Sequence, residues 1–166
     1  MPFLRTTTSL SRDTVRPPTP GECVLIADVF GEALPPGGLT FRRGCWWPFQ
    51  PKGVVMAPDG HLWFHPQGPL WREDFADAAL SLRALIVHEL VHVWQHRQGL
   101  RLPFERWPLA RYRYRLTPGK PFHRYGIEQQ AEIVRDLWLH RQGSPRRGAP
   151  PLSDLGGIVP FGPAAA

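Results

Sequence analysis

From about Asp74 to Gln98 the apolar residues fall at helical spacing. Leu82, Leu85, Ile86, Glu89, Val93 and Trp94 share a broad stripe, and Gly99 supplies a stop. Inside this run stands His88-Glu89-Leu90-Val91-His92. Two histidines and a glutamate turned into an apolar interior are costly unless a partner satisfies them. On a helix, positions i and i+4 lie one turn apart on one face, so both imidazoles reach a single ion. That spacing predicts a Zn²⁺ site with His88 and His92 as ligands. Glu89 falls beside the metal rather than on it, placed to take a proton from an activated water and hand it to a leaving amine. The residues therefore point to hydrolysis of peptide bonds with Glu89 as general base. The alternative, a solvent-facing patch of ordinary polar residues, does not suit the apolar neighbours Leu85, Ile86, Val87, Leu90, Val91, Val93 and Trp94.

A catalytic zinc takes a third protein ligand and keeps one position open. His96, His123, Glu128, Glu132 and His140 are the candidates. His96 lies well round the helix near its end and is expected on the rim or in solvent. A third histidine in the spacing H-E-x-x-H-x-x-G-x-x-H is excluded, because Gly99 comes seven residues after His92 rather than three. Glu128 fits best. A second helix is expected from Gly126 or Ile127 to Arg141, stopped at Gly143, with Glu128 in its first turn and Glu132 one turn on. Glu128 would ligate the zinc. Glu132 would accept the other N–H of a metal-bound histidine and fix its tautomer. The plainer reading makes Glu128 a helix-dipole residue and Glu132 a member of a solvated face. For the oxyanion, Tyr125 or His123 is expected to donate, with Tyr112 and Tyr114 as further candidates.

The rest of the chain frames these helices. Residues 1–20 are rich in Thr, Ser, Arg and Pro and read as a flexible arm; 21–142 form the metallopeptidase domain; 143–166, rich in Gly, Pro and Ala, are a tail or strap. Cys23 to Phe30 is apolar but ambiguous between strand and helix, and 31–53 are expected to be irregular. Val54 to Ala57 and His61 to Phe64 flank Pro58-Asp59-Gly60, the signature of a β-hairpin. Its edge suits pairing with an extended peptide, although a purely structural hairpin reads equally well. Between 100 and 125 one strand-like stretch runs from Tyr112 to Leu116. The fold class is α+β: a loop-rich minimal zincin-like domain with a short antiparallel sheet and two ligand-bearing helices.

Composition narrows the partners. The 166 residues suit one domain, and no apolar run is long enough for a membrane span. The net charge is +6, and only Lys52 and Lys120 of the 20 basic residues are lysines. Arginines are densest from Arg101 to Arg115, where Arg111-Tyr-Arg-Tyr-Arg115 alternates. The alternation suits a strand with one solvated face better than an RNA-facing stripe, so no nucleic acid partner is expected. Met1 to Pro20 has no apolar core of a signal peptide, so synthesis in the cytoplasm is expected. Whether Cys23 and Cys45 pair stays open.

An H-E-x-x-H helix followed by Glu-x-x-x-acid on a later helix resembles the gluzincin metallopeptidases. More narrowly, His88-Glu-Leu-Val-His-Val-Trp-Gln95 with Tyr125-Gly-Ile-Glu-Gln-Gln-Ala-Glu132 resembles the zinc-peptidase domains associated with VgrG and Rhs proteins of bacterial type VI secretion systems. The likeness covers about 54–141. It implies His88, His92 and Glu128 as zinc ligands and Glu89 as general base. It also implies an antibacterial effector delivered to a target cell's periplasm, with a protein or peptide substrate and a cognate immunity or spike protein as partner. An ImmA/IrrE-like regulatory peptidase of the cytoplasm is the neighbouring alternative. From another class, a metal-stabilised basic module binding nucleic acid or protein is the rival; a structural zinc closes its fourth position with a protein group and needs no Glu89.

Overall fold

Thr19-Pro20-Gly21-Glu22 dictates the first helix. Pro20 presets the helical φ, and Thr19 and Glu22 close a reciprocal capping box. Helix α1 therefore runs Pro20–Phe30 and settles the ambiguous apolar run as helical. The computed structural model describes residues 14–102 and 111–163. Before α1, Thr14–Arg16 forms strand β1, so this part of the expected arm belongs to the sheet; residues 1–13 lie outside the described residues. Strands β2 (Phe41–Arg43), β3 (Val55–Met56) and β4 (Leu62–Phe64) follow.

The sheet order is β1-β2-β4-β3. β3 and β4 pair antiparallel around Pro58-Asp59-Gly60, as the hairpin signature implies, and β1 pairs antiparallel with β2. β2 and β4 run parallel, which corrects the expected antiparallel sheet to a mixed one. The reason is topological. After β2 the chain crosses to the far edge as β3, then reverses again into the slot beside β2, and two reversals restore the direction. β2 was hidden within the stretch expected to be irregular, because three residues containing two arginines carry no periodic signal. Even so, Phe41 is fully buried, and Arg42 lies 4.9 Å over the ring of Trp63.

Helix α2 spans Leu80–Arg97 and α3 spans Ile127–Arg141. α2 is apolar on nearly every side and buries Ile86, Val87, Leu90, Val91 and Val93, which makes it the central helix. α3 buries Ala131, Ile133, Val134, Leu137 and Trp138. Both end as anticipated. Gly99 (φ 87°) and Gly143 (φ 69°) take the left-handed conformation, and Leu100 N–H and Ser144 N–H reach back to the carbonyls of Gln95 and Leu139.

Tyr112 to Leu116 forms no strand and pairs with none among the described residues, contrary to expectation. Side chains take over its backbone. Gln129 donates to the Arg113 carbonyl at 2.8 Å, and Thr117 N–H donates to the Tyr125 hydroxyl at 3.0 Å. Residues 103–110, which hold part of the arginine-dense stretch, lie outside the described residues. The segment after α3 straps over the surface. Its short helix α4, Leu152–Ile158, buries Leu155, and Phe161 packs against Phe30, Trp94 and Phe122. Among the described residues no helix is long and apolar enough to cross a membrane.

Candidate metal centre

The i, i+4 spacing on α2 turns His88 and His92 toward α3, and Gly126 starts α3 so that Glu128 arrives opposite them in its first turn. His88 Nε2 and His92 Nε2 lie 3.3 Å apart, and each is 3.1–3.2 Å from Glu128 Oε2. Ligands about 2.0–2.1 Å from a tetrahedral zinc stand about 3.3 Å from one another, so the donor set fits such an ion. Among the described residues this is the only group of three or more His, Cys, Asp or Glu side chains close enough to share a metal.

The other ring nitrogens are engaged as well. His92 Nδ1 is 2.8 Å from Gln95 Oε1, and the Gln95 amide donates to the Ile127 carbonyl and to Gln130 Oε1. Gln95 is fully buried, so this bond fixes the His92 ring and ties it to the start of α3. His88 Nδ1 lies 2.8 Å from Glu132 Oε1, at an angle short of a true hydrogen bond. Glu132 is held in turn by Arg135 and by Arg146 from the strap. With both Nδ1 atoms turned to acceptors, two nitrogen lone pairs and a carboxylate oxygen converge on one buried point. Such an arrangement calls for a cation or a proton. In the metal-free protein the proton goes to His88. Burial opposes its charge, but Glu128 and Glu132 outweigh that and push its pKa up to about 9. Burial likewise opposes the Glu132 charge, but His88 and Arg146 prevail and hold it at about 2.

Glu89 is 5% exposed, and its Oε2 is buried without a hydrogen-bond partner. It lines a cavity of about 290 Å³ with His88, Tyr112, Glu132 and residues 53–56. β3 forms one wall, and it is the outer strand of the sheet. Tyr112 forms the other, its ring stacked over His88 at a centroid distance of 6.1 Å.

His88, Glu89, His92, Glu128 and Glu132 thus meet. Of the remaining candidates Tyr112 alone borders them. Tyr125 is buried in the core, its hydroxyl bound by Thr117 N–H and its ring covered by Lys120, and it does not line this cavity. His123 and His96 are exposed, and His140 bonds the Pro150 carbonyl. Tyr114 donates to Asp136, and this bond and burial push its pKa up. Cys23 and Cys45 are free thiols. Sequence reasoning gave no role to Gln95, Gln130, Asp136 or Arg146. Gln95 carried a readable signal, a polar residue one turn past His92 in an apolar helix. Arg146 carried none, because its partners come from a different element.

No family model matches the chain. The chain is 38% identical over 131 residues to the type VI secretion system spike protein VgrG2b of Pseudomonas aeruginosa, covering 73% of this chain. It spans only 13% of the length of that curated relative. Among solved structures, the effector domain of Pseudomonas aeruginosa VgrG2b superposes with a TM-score of 0.72 at 32% identity, over 86% of this chain and 80% of that one. The match therefore falls on one domain of the large spike protein, and the chain belongs to the family of the VgrG2b effector domain.

Proposed function

We propose that the domain is a zinc metallopeptidase acting as an antibacterial effector of a type VI secretion system. The observation that carries the reading is the convergence of His88, His92 and Glu128 on one point beside Glu89, whose buried Oε2 has no hydrogen-bond partner. His88, His92 and Glu128 would hold the ion. A zinc ion bound there supplies Lewis-acid polarisation of a carbonyl and lowers the pKa of water. Glu89, beside that position rather than on it, accepts a proton at Oε2 and delivers it to the departing amine nitrogen. Gln95 and Glu132 hold the two imidazoles in register. The edge of β3, unpaired among the described residues, offers backbone groups to an extended peptide, which would lie between β3 and Tyr112. The Tyr112 ring, rather than Tyr125, borders the space where a tetrahedral oxyanion would form. Likeness to the effector domain of a type VI secretion spike protein supports delivery with a spike protein as carrier; a neighbouring cell's periplasm as destination and an immunity protein as guard complete the proposal.

The test is metal content by elemental analysis, with peptidase assays on the same samples. Wild type is expected to hold one zinc per chain and to cleave peptides. Glu128→Ala is expected to lose the zinc. Glu89→Gln is expected to keep it and lose about a hundred- to ten-thousand-fold in turnover. No zinc in wild type after reconstitution would end this reading in favour of a basic binding module.

A further inference from the structure

Beyond Tyr112 the cleft opens into a second cavity of about 610 Å³, which shares Tyr112 and Glu132 with the first. The alternating Arg-Tyr segment forms its wall. Arg113 and Arg115 line it from this segment, and between them Tyr114 donates to Asp136. Arg146 and Arg147 of the strap close the far side. The cavity thus carries four guanidiniums and two carboxylates, Glu132 and Asp136. Both carboxylates are already bound to Arg146. Arg113, Arg115 and Arg147 are exposed and form no ion pair among the described residues. Three uncompensated guanidiniums face a cavity that continues from the proposed catalytic cleft.

We infer that this cavity selects substrate: Arg113, Arg115 and Arg147 receive acidic side chains of a peptide on the Tyr112 side of the scissile bond. The inference rests on the peptidase reading for the position of that bond, but the selectivity itself is a binding property. Guanidiniums pair carboxylates in a forked geometry, and a cluster of them raises the local concentration of acidic segments. Single-stranded nucleic acid fits less well. It needs a run of open aromatic faces for stacking, whereas this wall offers one exposed ring, Tyr112, with Tyr114 half-buried and tied to Asp136.

The experiment measures fluorescence anisotropy of a labelled peptide of alternating Ala and Glu, beside its Ala and Gln counterpart. The protein is the full chain carrying E89Q, with and without zinc, so that neither peptide is cut. The Glu peptide is expected to bind about tenfold tighter. That advantage should vanish in R113A/R115A/R147A, shrink in the single reversal R147E, and fade at high salt. Equal binding of the two peptides would overturn the inference, as would an advantage that survives both variants. So would an arginine-dependent preference for an oligothymidylate over the Glu peptide. Wild-type cleavage separates the two readings. Selective binding with no cleavage of either peptide, even with zinc, supports the acidic-segment site and removes the peptidase. Cleavage of both peptides with equal binding does the reverse.

Discussion

Two buried carboxylate centres lie in this domain, and they differ in how fully they are satisfied. Glu22 is 1% exposed and accepts from both Arg16 terminal nitrogens, from Thr19 N–H and from Phe75 N–H. Each of its oxygens holds two donors. Arg16 is itself sandwiched, 4.7 Å over Phe41 and 5.3 Å over Trp71. At the other centre Glu128 Oε2 faces two imidazole nitrogens across 3.1–3.2 Å, and the neighbouring Glu89 keeps a buried oxygen unpaired. A saturated carboxylate has nothing left to give to a ligand, and its role is to hold β1, α1 and the Phe75 loop together. A buried carboxylate oxygen left unpaired beside such a cluster, as Glu89 Oε2 is, marks a place where something else can bind.

The largest expected effect sharpens this contrast from the structural side. Glu22→Ala leaves Arg16 and two backbone N–H groups without their acceptor. Breaking a buried pair from one side costs about 3–5 kcal/mol, a large share of a small domain's stability. Chemical denaturation is expected to show that loss, while the protein that remains folded still takes up zinc. If Glu22→Ala lost zinc with its stability unchanged, the division between a holding centre and a binding centre would be wrong.

The binding centre was far more legible than the holding one. His88, Glu89 and His92 lie within one turn of one helix, so spacing along the chain equals geometry in space. Glu128 and Glu132 were legible for the same reason on α3, and Gly99 and Gly143 marked where both helices stop. The Glu22 centre joins residues from β1, α1 and the loop before α2, and no local pattern announces such a junction. β1 and β2, three residues each, were missed because strands that short show no alternation. Tyr125 and Tyr112 show the limit within the site itself. Tyr125 stands three residues before Glu128, yet the bond to Thr117 turns its hydroxyl away. Tyr112 is sixteen residues before Glu128 and reaches His88 because its segment runs back along α3, bonded to Gln129 and Asp136. Arg146 likewise reaches Glu132 only because the strap turns back after Gly143.

A smaller effect tests the support behind the ligands. Glu132→Ala removes the carboxylate beside His88 Nδ1 and leaves Arg146 to Asp136 alone, but keeps all three proposed ligands in place. Partners of this kind are worth about 10- to 100-fold in metal affinity. Competition with a chromogenic chelator is expected to show a loss in that range, against a far larger one for Glu128→Ala. Equal losses would make Glu132 a ligand in its own right.

The smallest effect is a pH dependence that zinc should alter. In the metal-free protein His88 has a pKa raised from 6.5 to about 9, so its contribution to stability is complete below about 6.5 and is lost as pH rises through about 9. Glu132 has one lowered from 4.5 to about 2, so its contribution is complete above about 4.5 and is lost as pH falls through about 2. Both contributions coexist between about 4.5 and 6.5, where these two groups hold the metal-free domain most firmly. A zinc ligand must be an unprotonated imidazole, so metal takes the place of the His88 proton. The thermal stability of the metal-free protein is therefore expected to fall between about pH 6.5 and 9, and the zinc-loaded protein to lose that alkaline decline. The same slope with and without zinc would mean that the ion does not sit on His88. The contrast between a carboxylate saturated by the protein alone and a centre completed by a ligand would then have to be redrawn.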